Sequence, residues 1–326
     1  MERLDRFMGR ANAAYYAAHD PYADFTTSPE ITQVFGELLG AWAAVVWRQM
    51  GSPGRVRLVE CGPGRGTLMA DALRAAAFAA PFRAALSVHL IETSPRLRAL
   101  QAAAVPGAIW HDTLDDVPGG PMILLANEFL DALPIRQFVR RSEGWAERFV
   151  ESGAWVEQPS DFGAVAPLGA PSVGAVQEVN EAAAAVVHGA ALRLVRDGGA
   201  ALFLDYGPAE SAPGDSLQAI RGGRPGDPLA DPGAADLTAH VDFAALGRAA
   251  RAGGAAVHGP VAQGLFLAQL GLFQRTGRLA QTQGPARAAA LVQAAQRLAE
   301  PDRMGGLFKA IAVCDPALGA LPGFAA

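Results

Sequence analysis

Cysteine and lysine are nearly missing from this chain of 326 residues. The two cysteines, Cys61 and Cys314, stand far apart and outside any Cys-x-x-Cys spacing. A disulfide framework and a cysteine-built zinc site are therefore excluded, and a reducing compartment is expected. The single lysine, Lys309, lies late in an apolar segment. The Gly-Lys-Ser/Thr of a phosphate-binding P-loop is absent, which closes that route to nucleotide hydrolysis. Charged residues make up only 18% of the chain, yet no charge-free apolar run reaches the roughly 18 residues of a membrane span. A net charge of −5 argues against an overall electrostatic hold on nucleic acid. Met1 to Arg6 mixes charges and leads into no apolar stretch, so no secretory signal is read and a cytoplasmic location is expected. The six histidines never form His-Glu-x-x-His, and no Gly-x-Ser-x-Gly elbow occurs. Metalloprotease and serine-hydrolase chemistry drop out, and no metal is expected.

What remains is a chain that is 51% hydrophobic, with material for a large core. Short apolar runs alternate with helical periodicity. The pattern predicts a helix from Ser28 to about Met50, with Ser28 as cap, Pro29 at the first position and Glu30 complementing the dipole. Strands are expected at Val56–Cys61, Ser87–Ile91, Ala108–His111 and Met122–Ala126, with helices at Thr67–Ala77 and Pro95–Ala104. Such alternation implies an α/β fold with a mostly parallel sheet. Arg136 to Gln158 reads instead as antiparallel ribbon and Ser160 to Gly174 as loop. The rhythm resumes with a helix over Ala175–Arg196 and a strand over Ala200–Asp205. Gly207 to Ala235 is an irregular stretch too long for an ordinary connection. A helix over Asp242–Arg251, a strand over Ala255–Val261, a helical pair between Leu265 and Glu300 and a strand over Leu307–Val313 complete the pattern.

The first strand ends in Glu60-Cys61-Gly62-Pro63-Gly64-Arg65-Gly66. Ligands of open α/β sheets bind outside the carboxyl ends of the strands, so the place suits a nucleotide. A dinucleotide loop needs a third glycine where Thr67 stands. Glycines at every second position after an acid resemble motif I of the S-adenosylmethionine-dependent methyltransferases. That cofactor has no pyrophosphate but carries an α-amino group, which Glu60 can hold while Gly62 and Gly64 let the backbone approach. A tight turn without a ligand is the alternative. Glu92 ends the second strand, where an acid can accept both ribose hydroxyls; a strand-end acid facing water is the plain reading beside it. Asp112 and Thr113 follow the third strand, where the adenine edge would lie, and can equally cap a turn.

Several segments together resemble the MidA/NDUFAF7 family of class I methyltransferases: residues 25–31 (FTTSPEI), 35–38 (FGEL), 60–68 (ECGPGRGTL), 127–135 (NEFLDALPI), 205–207 (DYG), 214–218 (GDSLQ) and 240–243 (HVDF). The match spans most of the chain in order. It implies a Rossmann-like methyltransferase core with a seven-stranded sheet and family-specific insertions, using S-adenosyl-L-methionine. The expected division is an N-terminal helical segment at 1–55 and a core at 56–135, 175–206 and 255–314. Insertions at 136–174, 207–254 and 264–304 are expected to form a substrate-side subdomain. The family's mitochondrial member is a protein arginine methyltransferase acting on a complex I subunit, so a protein substrate, with a complex I subunit as candidate, is implied. Residues 22–25 look shorter than the Gly-rich approach usual in the family, and Cys61 takes a place more often aliphatic.

Methylating a guanidinium requires carboxylates that orient its planar fork and take up a proton. Glu128 and Asp131, three apart at an expected helix start, can share one face, with Asn127 at the strand end beside the methionine moiety. Helix capping by Asn127, with two acids complementing the dipole, is the competing reading. Glu30, Tyr206 and His240 are further substrate candidates, against dipole complement, core packing and a loop position respectively; Asp242 suits a helix cap. A small-molecule methyltransferase on the same fold, and a cofactor-binding assembly factor with little activity, stay open beside the protein methyltransferase. The glycine spacing predicts that the protein binds S-adenosylmethionine or S-adenosylhomocysteine and not NAD. Calorimetry with each ligand checks this, and NAD binding without response to the methyl donor would overturn it.

Overall fold

The computed structural model describes residues 1–19, 26–162 and 171–324; the shortened segment at 22–25 lies outside the described residues. Seven strands build the central sheet: β1 (Val56–Cys61), β2 (Leu86–Ile91), β3 (Ile109–His111), β4 (Met122–Asn127), β5 (Gly199–Tyr206), β6 (Ala256–Ala262) and β7 (Phe308–Cys314). Their order across the sheet is β3-β2-β1-β4-β5-β7-β6. The pairings from β3 through β5 are parallel, whereas β7 runs antiparallel to both β5 and β6. The seven strands match the expectation, but the sheet is mixed.

The strands are nearly continuous hydrophobic runs because both faces are covered. In β4, Ile123 and Leu125 join one apolar cluster while Met122, Leu124 and Ala126 join the other. The first cluster takes Phe35, Leu39 and Trp42 from the helix Gln33–Gln49, with Phe82 beside them. The second takes Val187, Ala190 and Leu194 from the helix Glu181–Asp197 and Phe243 and Leu246 from the helix Phe243–Ala252. The 35–38 motif finds its purpose here. Gly36 and Gly40 lie against the helix Thr67–Ala76 so closely that a Cβ on Gly40 would stand 2.4 Å from the Ala72 carbonyl oxygen.

Several elements differ from the sequence pattern. Ser28–Ile31 is a separate helical turn, and Thr32 caps the long helix by accepting the Val34 N–H. Val176–Val179 is a strand that pairs with Arg136–Val139; Asn180 then caps the helix. No helix begins at Glu128. That residue has φ of +50°, outside the right-handed region a helix needs. The expected helical pair near the end is three helices, Gln263–Gln269, Leu272–Ala280 and Pro285–Ala299.

Beyond the core, Arg136–Arg141, Gly144–Glu151 and Ala154–Ser160 form the expected antiparallel ribbon, joined by Val176–Val179 and the N-terminal Glu2–Arg3. Gln218–Arg221, Arg224–Gly226 and Asp236–Thr238 form a smaller sheet. A third apolar cluster joins both to the helix Leu4–Ala18 through Leu4, Phe7, Met8, Val150, Ala219 and Leu237. Residues 264–304 do not share that cluster: Phe266, Leu272 and Leu298 pack in the first core cluster instead. Their apolar faces meet the central sheet, so the expected grouping of all three insertions does not describe the packing. Among the described residues no helix is long and apolar enough to cross a membrane.

The close approach at Gly40 yields a stability prediction. Gly40→Ala should cost about 1–3 kcal/mol, the scale of overpacking in a filled core, read as a lower urea midpoint with an unchanged slope.

Candidate functional site

The strand order reverses between β1 and β4, and a crevice at the carboxyl ends follows from that topology. A cavity of about 660 Å³ lies there, within the 300–1,000 Å³ typical of cofactor sites. It is lined at the β1 end by Glu60, Gly62 and Gly64, at the β2 end by Glu92 and at the β4 end by Asn127 and Glu128; Glu30 and Asp112 also face it. Eight of the residues singled out in the sequence are thus brought together.

The glycine turn needs its glycines. Gly62 has φ of +64° and a Cβ there would meet Phe129 Cδ2 at 2.8 Å, while Gly64 has φ of +55°. Glu60 is 3% exposed, and its Oε2 has no hydrogen-bond partner among the described residues. Burial pushes its carboxyl up to about 8, opposed only by the Met69 N–H. Asn127 Oδ1, also buried, likewise lacks a partner among the described residues, while its Nδ2 donates to Glu128 Oε1 at 2.9 Å. Both residues line the cavity with the glycine turn, and buried polar atoms of this kind normally have partners. The arrangement fits the amino acid end of S-adenosylmethionine, whose ammonium would satisfy Glu60.

Glu92 is more firmly held. Its Oε1 accepts the Ser94 N–H at 2.8 Å and its Oε2 accepts Gln101 Nε2 at 3.2 Å. Burial raises its proton affinity against these bonds. Asp112 is exposed and paired with Arg98 at 2.6 Å. Thr113 is not among the lining residues: it is exposed, and its hydroxyl and N–H both donate to Asp116 across a short turn. Its expected cofactor contact is replaced by turn capping.

The end of β4 is unusual. The Glu128 Oε1 accepts the Ser28 N–H at 2.8 Å besides the Asn127 amide, and burial outweighs both bonds in raising its proton affinity. Both bonds fall on Oε1. Asp131 does not share a face with Glu128, because the segment turns instead of winding into a helix. The N–H groups of Phe129, Leu130 and Asp131 all point to Asp205 Oδ2, at 3.2, 2.9 and 3.2 Å. Asp131 is buried outside the cavity lining, where desolvation and the nearby Asp205 raise its carboxyl well above the ordinary range. Burial likewise takes Asp205 up to about 7.

Glu30 accepts the Thr67 hydroxyl at 2.5 Å. Tyr206 and His240 lie outside the cavity lining and meet edge to face at 5.5 Å. The Tyr206 hydroxyl is held by Gln218 at 3.3 Å. Asp242 caps its helix, accepting the Ala245 N–H at 2.8 Å. The GDSLQ motif is an anchor: Ser216 and Leu217 donate their N–H groups to Glu178, and the Ser216 hydroxyl does the same.

The roof of the cavity comes from the N-terminal helix, which sequence reasoning missed. Gly9, Asn12, Ala13, Tyr16 and Ala17 line it, whereas none of residues 136–162 or 207–254 does. Asn12 pins the helix by donating to the carbonyls of Ala132 and Leu237 and accepting the Leu237 N–H at 3.0, 2.8 and 3.0 Å. Tyr16 donates to Asp236 at 2.8 Å. These partners are over a hundred residues away, so no local signal marks them. Ser94 caps the helix Pro95–Ala104 by accepting the Leu97 N–H, and it also donates to the Tyr16 carbonyl at 3.2 Å.

A family model described as S-adenosyl-L-methionine-dependent methyltransferase matches residues 38–261. The chain belongs to this family. It is 35% identical to the protein arginine methyltransferase NDUFAF7, mitochondrial, of Danio rerio, over 93% of this chain and 80% of that one. It is 34% identical to the Drosophila melanogaster homologue, over 96% of this chain and 80% of that one. A crystal structure from Burkholderia thailandensis, described as a methyl transferase bound to S-adenosyl-homocysteine, superposes with a TM-score of 0.83 at 28% identity. It covers 98% of this chain and 89% of that one. Both curated relatives are mitochondrial by name, which overturns the cytoplasmic expectation.

Glu60 gives the ligand-free protein a signature. Its folded-state proton affinity exceeds the unfolded one, so between about pH 4.5 and 8 the unfolded chain holds fewer protons and stability falls as pH rises. Asp205, whose carboxyl is raised to about 7, adds a slope of the same sign, so Glu60→Gln should reduce the slope by Glu60's share of at most one proton and raise the stability of the ligand-free protein at pH 8 by on the order of a few kcal/mol, measured by urea titration at several pH values.

Proposed function

We propose that this protein transfers the methyl group of S-adenosyl-L-methionine to an arginine side chain of a protein. The observation that carries the reading is the pair of buried oxygens, Glu60 Oε2 and Asn127 Oδ1, that have no partner among the described residues and line, with the glycine turn, a cavity of cofactor size. The bound S-adenosyl-homocysteine of the Burkholderia protein and the arginine methyltransferase names of the curated relatives support it.

In this reading Glu60 takes the ligand's ammonium, Gly62 and Gly64 admit its backbone-hugging chain, Glu92 accepts the ribose hydroxyls and Asp112 borders the adenine. When bound, the cofactor supplies both the methyl group and its leaving group. The protein's part is alignment, exclusion of water and care of one proton. Glu128 stands at the β4 end with Oε1 engaged by Ser28 and Asn127, so Oε2 is the oxygen that receives a guanidinium N–H. The nitrogen that gains a methyl loses a proton, and Glu128, whose proton affinity is raised by burial, accepts it. Asp131 is assigned to the turn beneath and not to the guanidinium.

The protein segment is proposed to enter past the carboxyl end of β5, where Tyr206, Gln218 and His240 gather beside the two inserted sheets. Residues 136–162, 171–174 and 207–254, with the N-terminal helix, then form the substrate side, while 264–304 belong with the core. A respiratory complex I subunit is the partner the family resemblance implies.

Mass spectrometry of the host proteome with and without this protein tests the substrate class: arginine peptides that lose one or two methyl groups in its absence are expected, and none would overturn the reading. Glu128→Gln keeps size and bonding reach but removes the base. Turnover on such a target should fall on the order of 100-fold, with affinity for S-adenosylhomocysteine unchanged; normal turnover returns Glu128 to a structural role.

A further inference from the structure

Gln101 sits on the helix Pro95–Ala104, is fully buried, and lies outside the cavity lining. Its amide nevertheless joins three parts of the site. Nε2 donates to the Gly64 carbonyl at 2.8 Å and to Glu92 Oε2 at 3.2 Å, while Oε1 accepts the Trp110 indole N–H at 2.8 Å. Chemistry fixes the orientation of this amide. An indole N–H only donates, whereas a main-chain carbonyl and a carboxylate accept, so a flipped amide would lose all three bonds. The helix itself is seated on the glycine turn: a Cβ on Gly66 would meet the Ala104 and Val105 side chains at 3.3 Å and Gln101 Cα at 3.5 Å.

We propose that Gln101 is a positioning residue that sets the register between the two halves of the cofactor site. It ties the turn that faces the amino acid end of the ligand to the acid that faces the ribose. The inference rests on the reading of Glu92 as the ribose acceptor. A carboxylate oxygen has two acceptor positions. Gln101 takes one on Oε2 and the Ser94 N–H takes one on Oε1; the Thr93 N–H also turns to this carboxylate, and of the four positions at least one is left for a hydroxyl. A flexible glutamate becomes a fixed fork, and the same amide holds that fork at a set distance from Gly64. Trp110, in β3, fixes the amide in turn and extends the link to a third strand.

The test uses the full chain, with S-adenosylhomocysteine and its 2′-deoxyribose analogue as calorimetric probes and urea unfolding as a control. Gln101→Met fills similar space without the polar bonds. It should raise the dissociation constant for S-adenosylhomocysteine about tenfold, the scale of one bond to a charged group, and erase most of the preference over the deoxy analogue. Gln101→Glu keeps the shape but sets a carboxylate against Gly64 O and Glu92, so at pH 8 its loss should exceed about 100-fold. Equal weakening of both probes by Gln101→Met would mean general softening and would overturn the proposal. A Glu92→Ala variant that loses affinity beside a Gln101→Met variant that does not would sink this inference alone. A Glu92→Ala variant with unaltered binding would remove the ribose reading and the inference with it.

Discussion

The site depends on the carboxylate of Asp205. It is fully buried at the end of β5 and gathers the N–H groups of Phe129, Leu130, Asp131 and Tyr206. Four donors on one acid make a compact anion nest without a helix. The chain leaving β4 is thereby forced into a turn, and Glu128 pays in the left-handed region, a conformation that persists only where the surroundings over-determine it. The result is that Asn127 and Glu128 face the cavity while Phe129 folds back onto Gly62. The two most distinctive motifs, around Glu60 and Asn127, are thus interlocked: the missing side chain of one is the seat of the other's phenyl ring.

The same geometry explains how much was legible beforehand. The strands and the glycine turn could be read because their signals are local: apolar runs, and glycines where φ is positive. Glu60, Glu92 and Asn127 followed from their places at strand ends. Glu128 and Asp131 were misjudged as helical because three-residue spacing says nothing about an acceptor more than seventy residues downstream. Thr113 was misplaced for the opposite reason: its hydroxyl found Asp116 three residues on, the turn capping that the sequence also allowed. The roof was invisible: an amphipathic helix such as Leu4–Ala18 reads the same wherever it docks, and Asn12 meets Ala132 and Leu237 only in the folded chain.

The insertions and the core divide differently from their order in sequence. The inserted sheets share apolar packing with the first helix of the chain, so the element that roofs the cavity is held by the unit proposed to meet the substrate. The late helices thicken the central sheet. Between them, Glu178 ties the GDSLQ segment to the larger inserted sheet, and His240 donates its N–H to Ser216 Oγ.

The solitary acid at the end of β1 reaches beyond catalysis. A buried carboxyl with an unmet oxygen weakens the empty protein, and a ligand that brings a cation to it strengthens the fold by mass action. A protein weaker empty than loaded unfolds and is cleared faster when its ligand is scarce. In the proposed reading, the methyl donor and its demethylated product, which carry the same ammonium, both strengthen the fold they bind.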